Sequence, residues 1–247
     1  MLVLALDTTT SSGSCAVARG HLVVCEQVND AHKAHAEHLP GDLMSLLERA
    51  GIGLPDIDAF AVAVGPGSFT GLRIGIATMQ GLAFAEGRPL IGVSGFDALV
   101  HIASAGLPRR RPEAKAGRVA TWIDAWRGEV FAALYEDGRE IEAPVVSRPE
   151  VLLESMRGRS TLFLGDGALA HQDVIRRVLG ADGRVADPAA PPLAGTIAIL
   201  ASEVRIGSEH SPHAIRPLYV RRTDAELAQD ARSILKQDAR SILKQDA

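Results

Sequence analysis

LALDTTTSSGSCAVARG, residues 4–20, and TWIDAWRGEVFAALYEDG, residues 121–138, follow one plan: an apolar strand, an aspartate, a polar turn and a second apolar strand. Two copies of such a unit predict two similar halves. The competing reading is coincidence, because many α/β proteins carry hairpins with an aspartate at the turn.

Around the first copy, strands are expected at residues 2–6, 15–18 and 22–28, with a turn at Gly20. Residues 36–50 read as a helix with Leu39, Leu43, Leu46 and Leu47 on one face and Gly51 as its stop. A strand at 58–64 then feeds a helix over 69–85, followed by a strand at 89–93 and a helix at 95–105. Around the second copy the pattern predicts strands at 118–124, 129–135 and 161–164, with helices at 149–156, 171–179 and 196–206. GLPRRRPEAKAG, 106–117, reads as a linker. The halves are thus expected at 1–105 and 106–222, the last helix of the second being able to pack back on the first. Beyond them lies a helical tail, 223–247, in which QDARSILK at 229–236 recurs at 237–244.

The 247 residues are 47% hydrophobic and 23% charged, which suits a folded globular chain. Aromatic residues are 4%, so the core is expected to be aliphatic and alanine-rich, and an extended platform of stacked rings for single-stranded nucleic acid is not the expected function. The net charge of −4 repels a phosphate backbone, so nucleic acid requires a partner. The N-terminus has no basic region and meets Asp7 after six residues, unlike a secretory signal, and no apolar run spans a bilayer, which predicts a cytoplasmic protein. Cys15 and Cys25 are expected to be free thiols, with a cross-hairpin juxtaposition as the alternative.

Asp7, Thr8, Thr9 and Thr10 put a carboxylate and hydroxyls at a strand end, which suits phosphate and cation binding or a turn that satisfies its own backbone. GPGSFTGLR, 65–73, is a glycine-rich strand–turn–helix with Ser68 as a cap; it lacks the P-loop lysine and the G-x-G-x-x-G spacing. It reads as an anion site or as a close backbone approach. The following helix is apolar nearly all round: Leu72, Ile76, Met79 and Ala83 form one face, and Ile74, Ala77 and Leu82 widen it. One side is expected on the sheet and the other against a second chain, or else the helix is internal. His32, His35 and His38 recur every three residues, a poor spacing for one metal ion on a helix. Arg109, Arg110, Arg111, Lys115 and Arg118 read as a solvated linker or an RNA contact.

LALDTTT, GPGSFTGLRIG, IGVSGFDAL, IDAWRGEVFAALY and Arg216-Pro217-Leu218-Tyr219-Val220-Arg221 together resemble the TsaB family, formerly YeaZ, from Met1 to about Glu226. Trp126 stands where that family commonly has arginine. The resemblance implies an actin-like, sugar-kinase-like duplicated α/β fold. It further implies a non-catalytic subunit, a pseudoenzyme that activates a TsaD-type catalytic subunit and works with a TsaE-type ATPase to form N6-threonylcarbamoyladenosine in tRNA. Catalytic TsaD relatives carry H-x-x-x-H after the strand that corresponds to 91–93; here the matching positions are Gly95 and Leu99. No cofactor of its own is then expected, ATP and metal residing in the partners, and Asp7, Thr8, Thr9, Gly165, Asp166 and Gly167 read as vestigial nucleotide loops. The implied partner surface falls on Leu72, Arg73, Gly75, Ile76, Met79, Gln80 and Ala83, with the 36–50 helix beside it. Transfer RNA is reached only through the complex, and a homodimer is the expected alternative when the chain is alone. The rival readings are an independent metal-dependent, glycoprotease-like hydrolase, a small-molecule kinase of the same superfold, and a free-standing RNA-binding module.

Overall fold

The structure is a computed structural model, and it describes residues 1–28, 35–105 and 117–220; for residues 35–38 only the backbone is described. His32, the side chains of His35 and His38, the basic run 109–115, Arg221 and the repeated tail therefore lie outside the described residues.

The chain order is β1 (Leu2–Asp7), β2 (Ser14–Arg19), β3 (Leu22–Val28), α1 (His35–Ala50), β4 (Ala59–Ala63), α2 (Phe69–Ala85), β5 (Leu90–Val93) and α3 (Gly95–Ala105), then β6 (Arg118–Asp124), β7 (Val130–Glu136), β8 (Arg139–Ser147), α4 (Pro149–Ser155), β9 (Thr161–Leu164), α5 (Asp166–Ala170), α6 (Gln172–Leu179), β10 (Gly183–Val185) and α7 (Ala194–Glu203). The first sheet runs β3-β2-β1-β4-β5 and the second β8-β7-β6-β9-β10. In each, an antiparallel three-strand meander is extended by two parallel strands. The repeat of residues 4–20 in 121–138 is therefore a repeat of topology, and the duplicated α/β fold that the resemblance implies is the one observed.

Sequence reading missed β8, α5 and β10. β8 is a largely exposed edge strand whose REIEAPVVS gives no clean alternation, α5 has five residues and β10 three, too short for periodicity to register. The last helix begins and ends earlier than 196–206, because Ala194 and Gly195 carry the amides that Ser14 and Glu26 cap.

Three apolar clusters build the core. The outer face of the first sheet packs α1 and α2 through Leu39, Leu43, Leu46, Leu72, Ile76 and Met79 onto Leu4, Leu6, Phe60 and Val62. The outer face of the second centres on Trp122 and Phe163, whose rings meet edge-on at 5.0 Å. Between the sheets lie α3 and α7. The inner face of the first sheet presents Ala5, Ala16, Ala18, Ala59, Ala61 and Ala63, against which α7 sets Ala194, Ala198 and Ala201. Methyl against methyl lets helix and sheet approach closely, the packing form of the alanine richness seen in the sequence.

Thus α7 follows the second sheet in sequence and covers the first, while α3 follows the first and touches β6. The crossing is secured at the α7 N-terminus, where the Leu193 and Ala194 amides donate to Ser14 Oγ at 3.3 and 3.1 Å and the Gly195 amide donates to Glu26 Oε1 at 2.7 Å. First-half side chains thereby cap a second-half helix. Cys15 pairs with Gln27 and Val17 with Cys25, so the thiols stand two positions apart and both are free. Burial pushes the Cys15 thiol up to about 12, which leaves it an inert packing group.

Ser14→Ala removes the acceptor of two buried amides and should cost about 1–2 kcal/mol in urea unfolding. The glycines of α2 differ sharply: a Cβ on Gly75 would strike Thr8 Oγ1, whereas nothing lies within 4 Å of one on Gly81. Gly81→Ala should raise stability by roughly 0.5–1 kcal/mol through helix propensity, and Gly75→Ala should lower it. Equal effects at the two sites would contradict this packing.

Candidate functional site between the halves

β1 ends at Asp7, fully buried, and its carboxylate is consumed locally. Asp7 Oδ1 accepts from the Thr9 amide at 2.8 Å and from Thr9 Oγ1 at 2.6 Å, and Oδ2 accepts from Thr10 Oγ1 at 2.6 Å. Burial raises its pKa above the usual carboxylate value, the threonine bonds oppose that rise, and the nearby Asp166 charge adds to it. Asp124 at the end of β6 repeats the local bond, its Oδ1 accepting from the Trp126 amide at 2.9 Å.

The Thr8–Thr9 turn is pressed against the start of α2. Gly67 faces the Thr9 carbonyl and Gly71 the Thr8 carbonyl, both so close that no Cβ would fit, and Gly67 has φ +158°. Thr8 Oγ1 donates to the Gly71 carbonyl at 2.7 Å, the Ser68 amide donates to the Thr9 carbonyl at 3.2 Å, and Ser68 Oγ caps the helix through the Gly71 amide at 3.2 Å. Of the two readings of GPGSFTGLR, close backbone approach is the one realised.

Across the cleft, Gly165 at φ +112° abuts the Trp122 carbonyl and Gly167 packs on Ile123. Asp166 between them accepts the Asp124 and Gly167 amides on Oδ1, at 3.0 and 2.9 Å, and the Ser11 amide on Oδ2 at 2.9 Å. The last bond ties the halves together. What remains is a cavity of about 60 Å³ bordered by Thr10, Ser11, Asp166, Leu99, Pro192 and Leu193. Small-molecule sites run from about 300 Å³ upward, several times this volume.

Gly95 and Leu99 are both buried in α3. A Cβ at Gly95 would sit 3.1 Å from Ile123 Cδ1, and Leu99 packs toward Gly165. Both positions are thus taken up by aliphatic contacts, and neither side chain can ligate a metal. Among the described residues no three His, Cys, Asp or Glu side chains come together as a metal-binding group.

The surface expected to meet a partner needs correction. Leu72, Gly75, Ile76, Met79 and Ala83 are buried in this chain's own core, so they form the inner face of α2. The outer face carries Thr70, Arg73, Ala77, Gly81 and Phe84 at a three-to-four-residue spacing. Of the expected residues only Arg73 and Gln80 reach it, and both are engaged by the irregular segment 212–219. Arg73 Nε donates to Tyr219 Oη at 3.3 Å while its guanidinium lies 3.8 Å from the Phe69 ring centre; Gln80 Nε2 donates to the Pro212 carbonyl at 2.9 Å. The outer stripe was legible as the complement of the inner one, but its small residues gave it no weight.

The sequence matches the family described as TsaD, tRNA N6-adenosine threonylcarbamoyltransferase, over residues 27–229. A protein of Escherichia coli K12 named tRNA threonylcarbamoyladenosine biosynthesis protein TsaB is 33% identical over 91% of this chain and 96% of its own length. The Bacillus subtilis protein of the same name is 29% identical over 92% and 96%. A solved Pseudomonas aeruginosa structure, described as an uncharacterized protein with similarity to peptidase YEAZ, superposes with a TM-score of 0.66 at 27% identity, over 89% of this chain and 99% of that one. With the duplicated topology, the Asp7 turn packed on GPGSFTGLR and similarity along nearly its whole length, this chain belongs to the TsaB family, the YeaZ branch of the TsaD-like proteins.

Proposed function

We propose that this chain is a cytoplasmic, non-catalytic subunit in tRNA threonylcarbamoyladenosine biosynthesis, one that docks on and activates a TsaD-type catalytic subunit. The observation that carries the reading is the state of the two cleft carboxylates. Asp7 and Asp166 both spend their oxygens on this chain's own hydroxyls and amides, and Gly95 and Leu99 supply no metal ligand. Chemistry that needs ATP and a metal is therefore assigned to the TsaD-type and TsaE-type partners. Transfer RNA is met only within the assembly, consistent with the net charge of −4.

The outer face of α2 is the docking surface we assign to the TsaD-type partner. Ala77 and Gly81 allow a helix to approach closely, and the exposed rings of Phe69 and Tyr219, 5.7 Å apart, supply apolar area at its N-terminal end. A second copy of this chain could use the same face when the partner is absent.

Reconstitution with donor, ATP, tRNA and both partner types tests the role by nucleoside mass spectrometry. Omission of this chain should abolish threonylcarbamoyladenosine; undiminished product would overturn the proposal. Ala77→Arg places a charge on an exposed position, so melting should be unchanged while partner affinity falls more than about tenfold in gel filtration or calorimetry.

Asp7→Asn separates the readings of the cleft. A catalytic acid or base would cost about a hundredfold or more in rate, whereas here complex activity should persist. The stability sign follows from the raised pKa. Asp7 contributes fully below its unfolded value of 3.8 and loses that contribution as pH rises through the folded value. The asparagine variant should thus equal or exceed the parent in denaturant unfolding at pH 7.5, an advantage that shrinks as pH falls toward 4.

A further inference from the structure

Beyond the partner face, the C-terminal end of α2 and the turn 207–213 enclose an open groove of about 460 Å³. Phe84, 69% exposed, forms one wall, and its ring meets His213 with centroids 5.7 Å apart at a tilt of 58°. Arg88 lines the same groove, steadied by a bond from Nη2 to the Pro55 carbonyl at 3.4 Å. His210 also lines it; its Nδ1 accepts the Gly207 amide at 3.0 Å, which puts the proton of the neutral ring on Nε2 and leaves that atom a donor. The turn is anchored from outside the groove, by Gln80 on the Pro212 carbonyl and by Arg216 Nη1 on the His213 carbonyl at 3.1 Å.

None of these groups serves the cleft or the core, and the groove lines up an exposed ring, an imidazole and a guanidinium on one surface. We propose that the groove holds one unpaired nucleotide of the tRNA, its base against Phe84 and His213 and its phosphate on Arg88 and the His210 Nε2–H. The proposal rests on the assembly described above. The ring pair offers a face that any base can stack on, the guanidinium and imidazole offer the charge and the donor a phosphate takes, and the volume suits a nucleotide. The local field is weak, because the Glu209 carboxylate lies 3.7 Å from His210 Nδ1. The groove therefore adds a contact to an RNA already held by the partner, one that the free chain would not capture. Phe84 lies one turn beyond Gly81 on the same side of α2, so this contact adjoins the docked partner.

The test is steady-state threonylcarbamoylation by the full assembly at varied tRNA, with Arg88→Ala and His213→Ala, both off the α2 face. Each should raise KM for tRNA about five- to tenfold, leave kcat and assembly unchanged, and lose a photo-cross-link between this chain and tRNA. Arg88→Ala should also lower the salt dependence of KM. Assemblies that form and turn over with unaltered KM would overturn the groove assignment alone. So would protection of the groove by the partner without RNA, which would make its occupant a protein segment. A parent chain that joins no assembly would overturn both readings together.

Discussion

The contact between the Thr8–Thr9 backbone and the glycine-lined start of α2 sets the geometry of the first half. Two carbonyls and one hydroxyl of the turn lie where Cβ atoms of residues 67, 71 and 75 would be, so helix and strand end meet at backbone distance. Three consequences follow from that closeness. The Asp7 carboxylate is sealed from solvent, the Ser68 cap faces the turn, and the inner stripe of α2 falls onto the first sheet while Ala77 and Gly81 are left outside.

The second half repeats the topology with different contents. Asp124 keeps the local bond of Asp7 to the amide two residues on, and Gly165 and Gly167 make the same kind of close approach to β6 that Gly67 and Gly71 make to the turn after β1. The halves are joined by carboxylates and hydroxyls that act as tethered acceptors: Asp166 on the Ser11 amide, Ser14 and Glu26 on the α7 N-terminus. At this junction the chain's own acceptors satisfy amides that could otherwise receive an anion.

Much of this was readable in advance. The strand–Asp–turn–strand repeat announced the duplication because both copies use the same period and the same acidic strand end. The buried stripe of α1 followed from leucines spaced at three and four. The orientation of α2 is not legible in the sequence. A helix apolar on most sides has no periodicity strong enough to say which stripe lies on the sheet, whereas the packed fold selects by size and places the larger residues Leu72, Ile76 and Met79 in the core. The groove at Phe84 was equally hidden, since Arg88, His210 and His213 are brought together only by a turn more than a hundred residues downstream of α2.

The sequence by itself determined the local elements, the twofold plan, the alanine-rich interior and the absence of imidazoles at positions 95 and 99, because each depends on residue type and short-range spacing. The tertiary structure alone decided that α7 covers the first sheet, that Asp7 and Asp166 are consumed by internal donors, and which side of α2 faces outward. Those outcomes turn on distances between segments far apart in the chain, where a difference of one ångström separates a free carboxylate from a satisfied one and a buried stripe from an exposed one.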